Sequence, residues 1–138
     1  MNDIKLTEMA FEARKASYAP YSGYRVGAAL LCEDGSVISG CNVENSSYGL
    51  CNCAERTAVF CAVSEGKRRF KAIAIAGGTE EGDTVTGYAF PCGACRQVLR
   101  EFCDPSTFKI IVARSIDDRK EFTLEGLLPS SFGPDNLS

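Results

Sequence analysis

Cys51-Asn52-Cys53-Ala54-Glu55-Arg56 and, further along, Pro91-Cys92-Gly93-Ala94-Cys95 each set cysteines where an apolar helical pattern begins. After the first, Ala54, Ala58, Val59, Ala62 and Val63 recur at helical spacing until Gly66, which predicts a helix over 52–65. The second opens a predicted helix over 93–102. Each helix leads into a short apolar run, Phe70–Ala76 and then Phe108–Ala113, read as buried strands. Helices alternating with strands in this way require crossovers. The expected fold is an α/β layered domain, a mixed sheet with helices against its faces.

Outward from this centre the pattern stays consistent. Leu6, Met9, Ala10 and Ala13 fall at helical spacing, so 3–17 reads as an amphipathic helix ending before the turn-rich Tyr18-Ala19-Pro20-Tyr21-Ser22-Gly23. Val26–Cys32 and Ser36–Val43 are β-tolerant runs joined at Asp34-Gly35, a hairpin signal because the turn needs positive φ. Gly77–Phe90, with four glycines and several acidic residues, reads as a mobile loop, and Thr123–Leu128 as a short helical turn. No internal repeat or low-complexity segment interrupts the chain. At 138 residues it is expected to form a single domain, 1–138.

Composition narrows the function. The longest apolar runs are too short to span a bilayer. Met1–Ala16 carries Asp3, Lys5, Glu8, Glu12, Arg14 and Lys15, leaving no apolar segment for a secretory signal, so a cytoplasmic location is expected. In that compartment eight cysteines are not a disulfide framework, and closely spaced pairs point to metal or catalysis. The net charge of −3 disfavours nucleic acid as a partner, and Lys67-Arg68-Arg69 reads as a solvated loop. There is no histidine. Any zinc must therefore sit on thiolates or carboxylates, and any general base is expected to be Glu or Asp.

The two cysteine segments fit that requirement. Free backbone N–H groups and the positive dipole end at a helix start favour negative charge and lower a thiol's pKa. Cys53, Cys92 and Cys95 from two converging helix starts would hold zinc and leave one tetrahedral position for water, the arrangement of a catalytic rather than a structural site. Glu55 lies two residues beyond Cys53, placed to move protons. Two plainer readings stand beside this one. Asn52-x-x-Glu55 has the form of a capping box. Cys51 could complete a four-cysteine structural site, making the chain a zinc-built interaction module. Cys32, Cys41, Cys61 and Cys103 read as buried small hydrophobes.

Cys-Ala-Glu followed by Pro-Cys-x-x-Cys is the zinc deaminase signature in its three-cysteine form. Beyond it, Tyr18-Ala19-Pro20-Tyr21-Ser22, Val26–Leu30, Gly40–Asn45, Cys92–Gln97 and Leu127-Leu128-Pro129 also resemble the small cytidine deaminases. The resemblance implies a three-layer α/β/α domain around a five-stranded mixed sheet and one Zn²⁺ per subunit. It implies a homotetramer with shared active sites, hydrolysing cytidine and 2′-deoxycytidine to the uridines and ammonia in pyrimidine salvage.

Carried over by position, the resemblance makes Glu55 the proton carrier. It sets Asn42 and Glu44 on the ribose hydroxyls, Tyr24 on the pyrimidine ring and Ala54 in the pocket. It has Phe132 reaching into a neighbouring subunit's pocket, with Tyr48 near that shared site. Arg56 matches an arginine on the ligand sulfurs. Three thiolates on Zn²⁺ leave a net negative centre, and a guanidinium drains part of that charge. The chain departs from the pattern in a longer segment Thr79–Phe90, in Phe90 where Ser or Thr is common, and in Tyr24 where Phe is frequent. A related reading, deamination of a cytosine-containing antibiotic, fits the Asn42 and Glu44 pair less well.

Overall fold

The computed structural model describes residues 1–138. Five strands form one sheet in the order β2-β1-β3-β4-β5, with β1 Arg25–Cys32, β2 Val37–Cys41, β3 Phe70–Gly78, β4 Lys109–Ala113 and β5 Arg119–Thr123. Only β3 and β4 pair in parallel; every other neighbour is antiparallel. The parallel pair is joined through helix α3, Gly93–Phe102, as a crossover requires. Helix α1, Asp3–Ala13, precedes the sheet, α2, Ala54–Ser64, links β2 to β3, and a single turn, α4, Leu124–Leu127, follows β5.

Strand periodicity sorts the core onto two faces. Ala28, Leu30, Ile73, Ile75, Ile110 and Val112 point to one side, where Ala54, Ala58 and Ala62 of α2 and Leu99 of α3 cover them. Ala29, Ala72, Ala74, Ala76, Ile111 and Ala113 point to the other and meet Leu6, Ala10 and Phe11 of α1. The expected three layers are therefore present, with α1 alone on one face and α2 and α3 on the other. Covering both faces explains why β3 and β4 read as near-continuous apolar runs. Each large side chain sealed there, such as Leu99 or Ile110, contributes about 1.5–3 kcal/mol relative to exposure.

The close approach of α2 to β2 rests on Gly40. A Cβ at that position would lie 2.5 Å from the Ala58 nitrogen and 2.6 Å from the Ala54 oxygen, so helix and strand meet backbone to backbone. At the hairpin, Gly35 takes φ +90° and the Ser36 amide donates to Asp34 Oδ1 at 2.9 Å. That is the turn chemistry the Asp-Gly pair predicts.

Several boundaries differ from expectation. The first helix stops at Ala13 and tightens into a 3₁₀ turn over Arg14–Ala16. β5 has no counterpart in the strand pattern, because Arg119-Lys120-Glu121-Phe122-Thr123 is a charged edge strand with a single apolar residue. Such composition protects an open edge and conceals the strand. Gly77 and Gly78 belong to β3, and the segment after them is tied down rather than loose: Val85 and Ala89 are buried, and the Val85 amide donates to the Arg114 carbonyl at 2.8 Å. Cys32 and Cys103 are buried as expected, but Cys41 is only partly covered and Cys61 is exposed on α2, beside Glu65. No helix is long and apolar enough to cross a membrane.

Candidate active site

Both cysteine segments sit at helix starts. Cys53 is the N-cap of α2 and Cys92 the N-cap of α3, each with extended backbone, and Cys95 lies fully buried in the first turn of α3. No side chain caps either helix, so the first-turn N–H groups point toward the sulfurs' end of each dipole. The Sγ atoms of Cys53, Cys92 and Cys95 all lie within 4.8 Å of one another. Cys53 and Cys92 are 3.8 Å apart and Cys92 and Cys95 3.3 Å. Thiolates at tetrahedral corners about 2.3 Å from zinc would be roughly 3.8 Å apart, so the cluster already has the span of a zinc site.

The charges agree with that fit. Cys53 is pulled down to about 5, chiefly by the Cys95 thiol donating toward it and also by Arg56. Cys95, facing that thiolate and shielded from water, is held far above the ordinary thiol range. The sulfurs are therefore sharing protons that a divalent cation would displace. Arg56 Nη2 donates to Cys53 Sγ at 3.4 Å, and its bonds to the Cys53 thiolate and to the Cys95 sulfur raise the guanidinium's pKa further. Its Nε is buried with no acceptor of its own, which suits a site meant to carry net negative charge on sulfur.

Glu55 is buried, 4% exposed, one residue inside α2. Burial is the main reason its carboxyl is pushed up to about 7, and the Cys53 thiolate adds to the effect. The capping-box reading does not hold: Cys53 and not Asn52 is the N-cap, and Asn52 Nδ2 donates to Thr57 Oγ1 at 3.1 Å. The four-cysteine site does not form either. Cys51 Sγ turns away to the Asn45 backbone, accepting from its N–H at 3.3 Å.

The cluster opens into a cavity of about 490 Å³ whose walls include Tyr24, Asn42, Glu44, Ala54, Glu55 and Cys92. Asn42 is fixed by three bonds, its Oδ1 accepting from the Val26 amide at 2.8 Å and from Ser17 Oγ, its Nδ2 donating to the Tyr24 carbonyl at 2.8 Å. Glu44 Oε1 accepts from the Tyr21 and Ser22 amides at 2.9 and 3.2 Å. The Ser22 hydroxyl, bonded to Oε2, does most to hold its carboxyl below the usual range. Tyr48 is not in this cavity; with Tyr21, Ser22, Glu44 and Cys51 it lines an adjoining cleft of about 290 Å³. Phe132 is in neither. It lies exposed after α4, its carbonyl accepting from Gln97 Nε2 at 2.9 Å.

The cavity also has walls that the sequence did not point to: Val26, Asn52 and Ile75, and above all Tyr88 and Ala89, beside Phe90, which the sequence marked as a departure from the family pattern. Only their place immediately before Phe90-Pro91-Cys92 could have marked Tyr88 and Ala89.

The family model for the zinc-binding region of cytidine and deoxycytidylate deaminases matches residues 1–111. The chain belongs to that family. Curated relatives agree over the full length. It is 48% identical to the cytidine deaminase of Sporosarcina psychrophila, covering all of this chain and 96% of that one. The value for the enzyme of Halalkalibacterium halodurans is 47%, with 100% and 99% coverage. Among solved structures, the cytidine deaminase of Burkholderia pseudomallei superposes with a TM-score of 0.86 at 47% identity, over 96% of this chain and 100% of that one. That from Mycobacterium tuberculosis gives 0.79 at 38% identity, over 96% and 98%. A deaminase zinc-binding region and a cluster of three thiols in one chain make this a one-zinc site.

One consequence is testable on the metal alone. Cys51→Ser is expected to keep one zinc per chain, because its sulfur faces Asn45. Metal content of the purified variant by atomic emission checks this, and loss of zinc would return Cys51 to the ligand set.

Proposed function

We infer that the chain, as a single deaminase domain over residues 1–138, hydrolyses cytidine and 2′-deoxycytidine to the corresponding uridines with release of ammonia. The observation that carries this reading is the junction of the three-thiol cluster with buried Glu55 at the floor of a cavity that also presents Asn42 and Glu44. Its relatives' names, cytidine deaminase in each case above, support the substrate.

Cys53, Cys92 and Cys95 would hold zinc, which supplies the Lewis acidity that makes water nucleophilic near neutral pH. The chain's own residues do the rest. Glu55, buried in the cavity wall beside the cysteines, takes a proton from the attacking water and delivers it to N3 of the pyrimidine. It then takes the remaining proton from the hydroxyl that has added to C4 and carries it to the exocyclic nitrogen, so that the C4=O bond forms as the C4–N bond breaks and ammonia departs. Arg56 holds the Cys53 sulfur and spreads its charge. Tyr24 lies along the base, and Ala54 closes the pocket beside it. Asn42 and the ionised Glu44 receive the ribose hydroxyls, and Glu44 would repel a phosphorylated sugar, which favours the free nucleoside over a nucleotide or nucleic acid.

Tyr48 and Phe132 point to a larger assembly. They are 74% and 59% exposed, unusual for aromatic residues, and Tyr18, Tyr21 and Leu50 are also exposed. We propose a homotetramer in which Phe132 of one subunit reaches the pocket of another. The free state of all eight cysteines suits a reducing cytoplasm, where we place the enzyme, and the proposed reaction is one of pyrimidine salvage. Loss of cytidine absorbance on purified, zinc-loaded protein, with native mass spectrometry on the same sample, tests both parts. Zinc-loaded protein inert toward cytidine and deoxycytidine would overturn the reaction, and a monomeric mass the assembly.

A further inference from the structure

The segment 79–90 leads from β3 to the cavity, and the fold holds it at three points. At its entry, Arg14 is 4% exposed, and its guanidinium donates to the carbonyls of Gly78, Glu80 and Gly82 and, through Nε, to that of Arg25, at 2.5 to 3.1 Å. A buried guanidinium spent wholly on backbone carbonyls fixes the path of a chain rather than a ligand. In the middle, buried Val85 is tied by its amide to the Arg114 carbonyl, and Glu80 Oε2 accepts from both the amide and hydroxyl of Thr86. At its exit the Tyr88 hydroxyl donates to Asp118 Oδ1. Asp118 Oδ2 is bonded in turn by Arg114 at 2.6 to 2.8 Å, while Arg114 and Lys120 each stand 4.6 Å from the Tyr88 ring centroid.

The held segment ends in the cavity. Tyr88, Ala89 and Phe90 form one of its walls, and Pro91 and Cys92 follow directly. Phe90 is braced from behind by Phe122 of β5, ring centroids 5.5 Å apart. The β4–β5 hairpin therefore supports the wall along its length. It does so with residues that touch neither the cysteines nor the cavity.

We propose that Arg14 and the Arg114–Asp118 pair are positioning residues that set the Tyr88–Phe90 wall against the base of the bound nucleoside. The proposal rests on the nucleoside reading of the cavity. A wall that contacts substrate in the ground state and the transition state alike changes KM and leaves kcat nearly constant. A merely structural role would change the folded fraction or zinc content and leave KM alone.

The test uses the full-length zinc-loaded protein. Arg14→Met and Tyr88→Phe are expected to raise KM for cytidine about tenfold with kcat within about twofold, the pattern left by lost uniform binding. Zinc should stay at one per chain, and Arg14→Lys should fall between wild type and Arg14→Met. Tyr88→Phe combined with Asp118→Ala should be no worse than Asp118→Ala alone, since the Asp118 change already cuts the Tyr88 link together with the Arg114 one. Hydrogen exchange, which needs no substrate, should quicken in amides 84–90 of Tyr88→Phe while β1 and β3 keep their protection. Unchanged KM in folded, zinc-replete variants, additive effects in the double variant, or unchanged exchange over 84–90 would each overturn the proposal. Should Arg14→Met fail to fold, the Tyr88 and Asp118 arm decides. Wild-type protein inert toward cytidine would sink the nucleoside reading, and the exchange arm would still judge the clamp.

Discussion

Glu55→Ala is expected to bind zinc as the wild type does and to turn over cytidine about 10²–10⁴-fold more slowly, or worse. The carboxyl is no part of the sulfur cluster, so the metal stays. No neighbour can replace it: with no histidine in the chain, the other carboxylate at the cavity, Glu44, is committed to the Tyr21 and Ser22 amides. Steady-state rates and metal content on the same preparation check the pair of claims. Substantial residual turnover would remove Glu55 from proton transfer.

The same side chain should leave a mark on stability. In metal-stripped protein Glu55 titrates at about 7 instead of near 4.5, so the folded state binds its proton more tightly than the unfolded chain does. That advantage is present in full below about 4.5, declines as pH rises, and is gone above about 7, a change of up to roughly 3 kcal/mol. Glu55→Gln has no charge to bury. Stripped of metal, it should melt higher than wild type at pH 8, with the two curves converging near pH 4.5. Equal melting temperatures at pH 8 would show that Glu55 is better solvated than its burial indicates.

Cys53→Ala is expected to lose zinc and activity together. Cys53 is the thiol pulled lowest in pKa and the one Arg56 grips, so its removal takes away the first sulfur to ionise and strands the guanidinium. Two thiols do not complete a site that draws three ligands from protein. Zinc content should approach zero and cytidine turnover should fall below detection. Tight zinc binding by the variant would require a ligand outside the cluster.

Much of this was legible because chemistry and periodicity coincide. The starts of α2 and α3 are where the cysteines stand, so locating the helices also located the metal cluster. The central strands announced themselves by apolar runs that two covered faces demand. β5 did not, because an edge strand is built from charge, and the eye sees a loop. The glycines and acids of 77–90 misled in the same way. Their composition is that of a free segment, whereas what fixes them is Arg14, distant in sequence. Phe132 shows a different limit: it lies exposed on the surface of the chain and lines neither the cavity nor the cleft beside it, so the chain alone gives the role expected of it no footing.

The contact between Gly40 and α2 has a further meaning for how such a site can vary. Ala54, whose carbonyl oxygen limits what can stand at Gly40, also walls the cavity and adjoins Cys53. The seam that sets helix depth is thus the same set of atoms that sets the distance from one ligand to the others. Here a single added methyl at the seam would be read out as a longer sulfur-to-sulfur span, so the packing of this layer inherits the tolerance of a metal bond, a few tenths of an ångström, and can change only in step with the chemistry it carries.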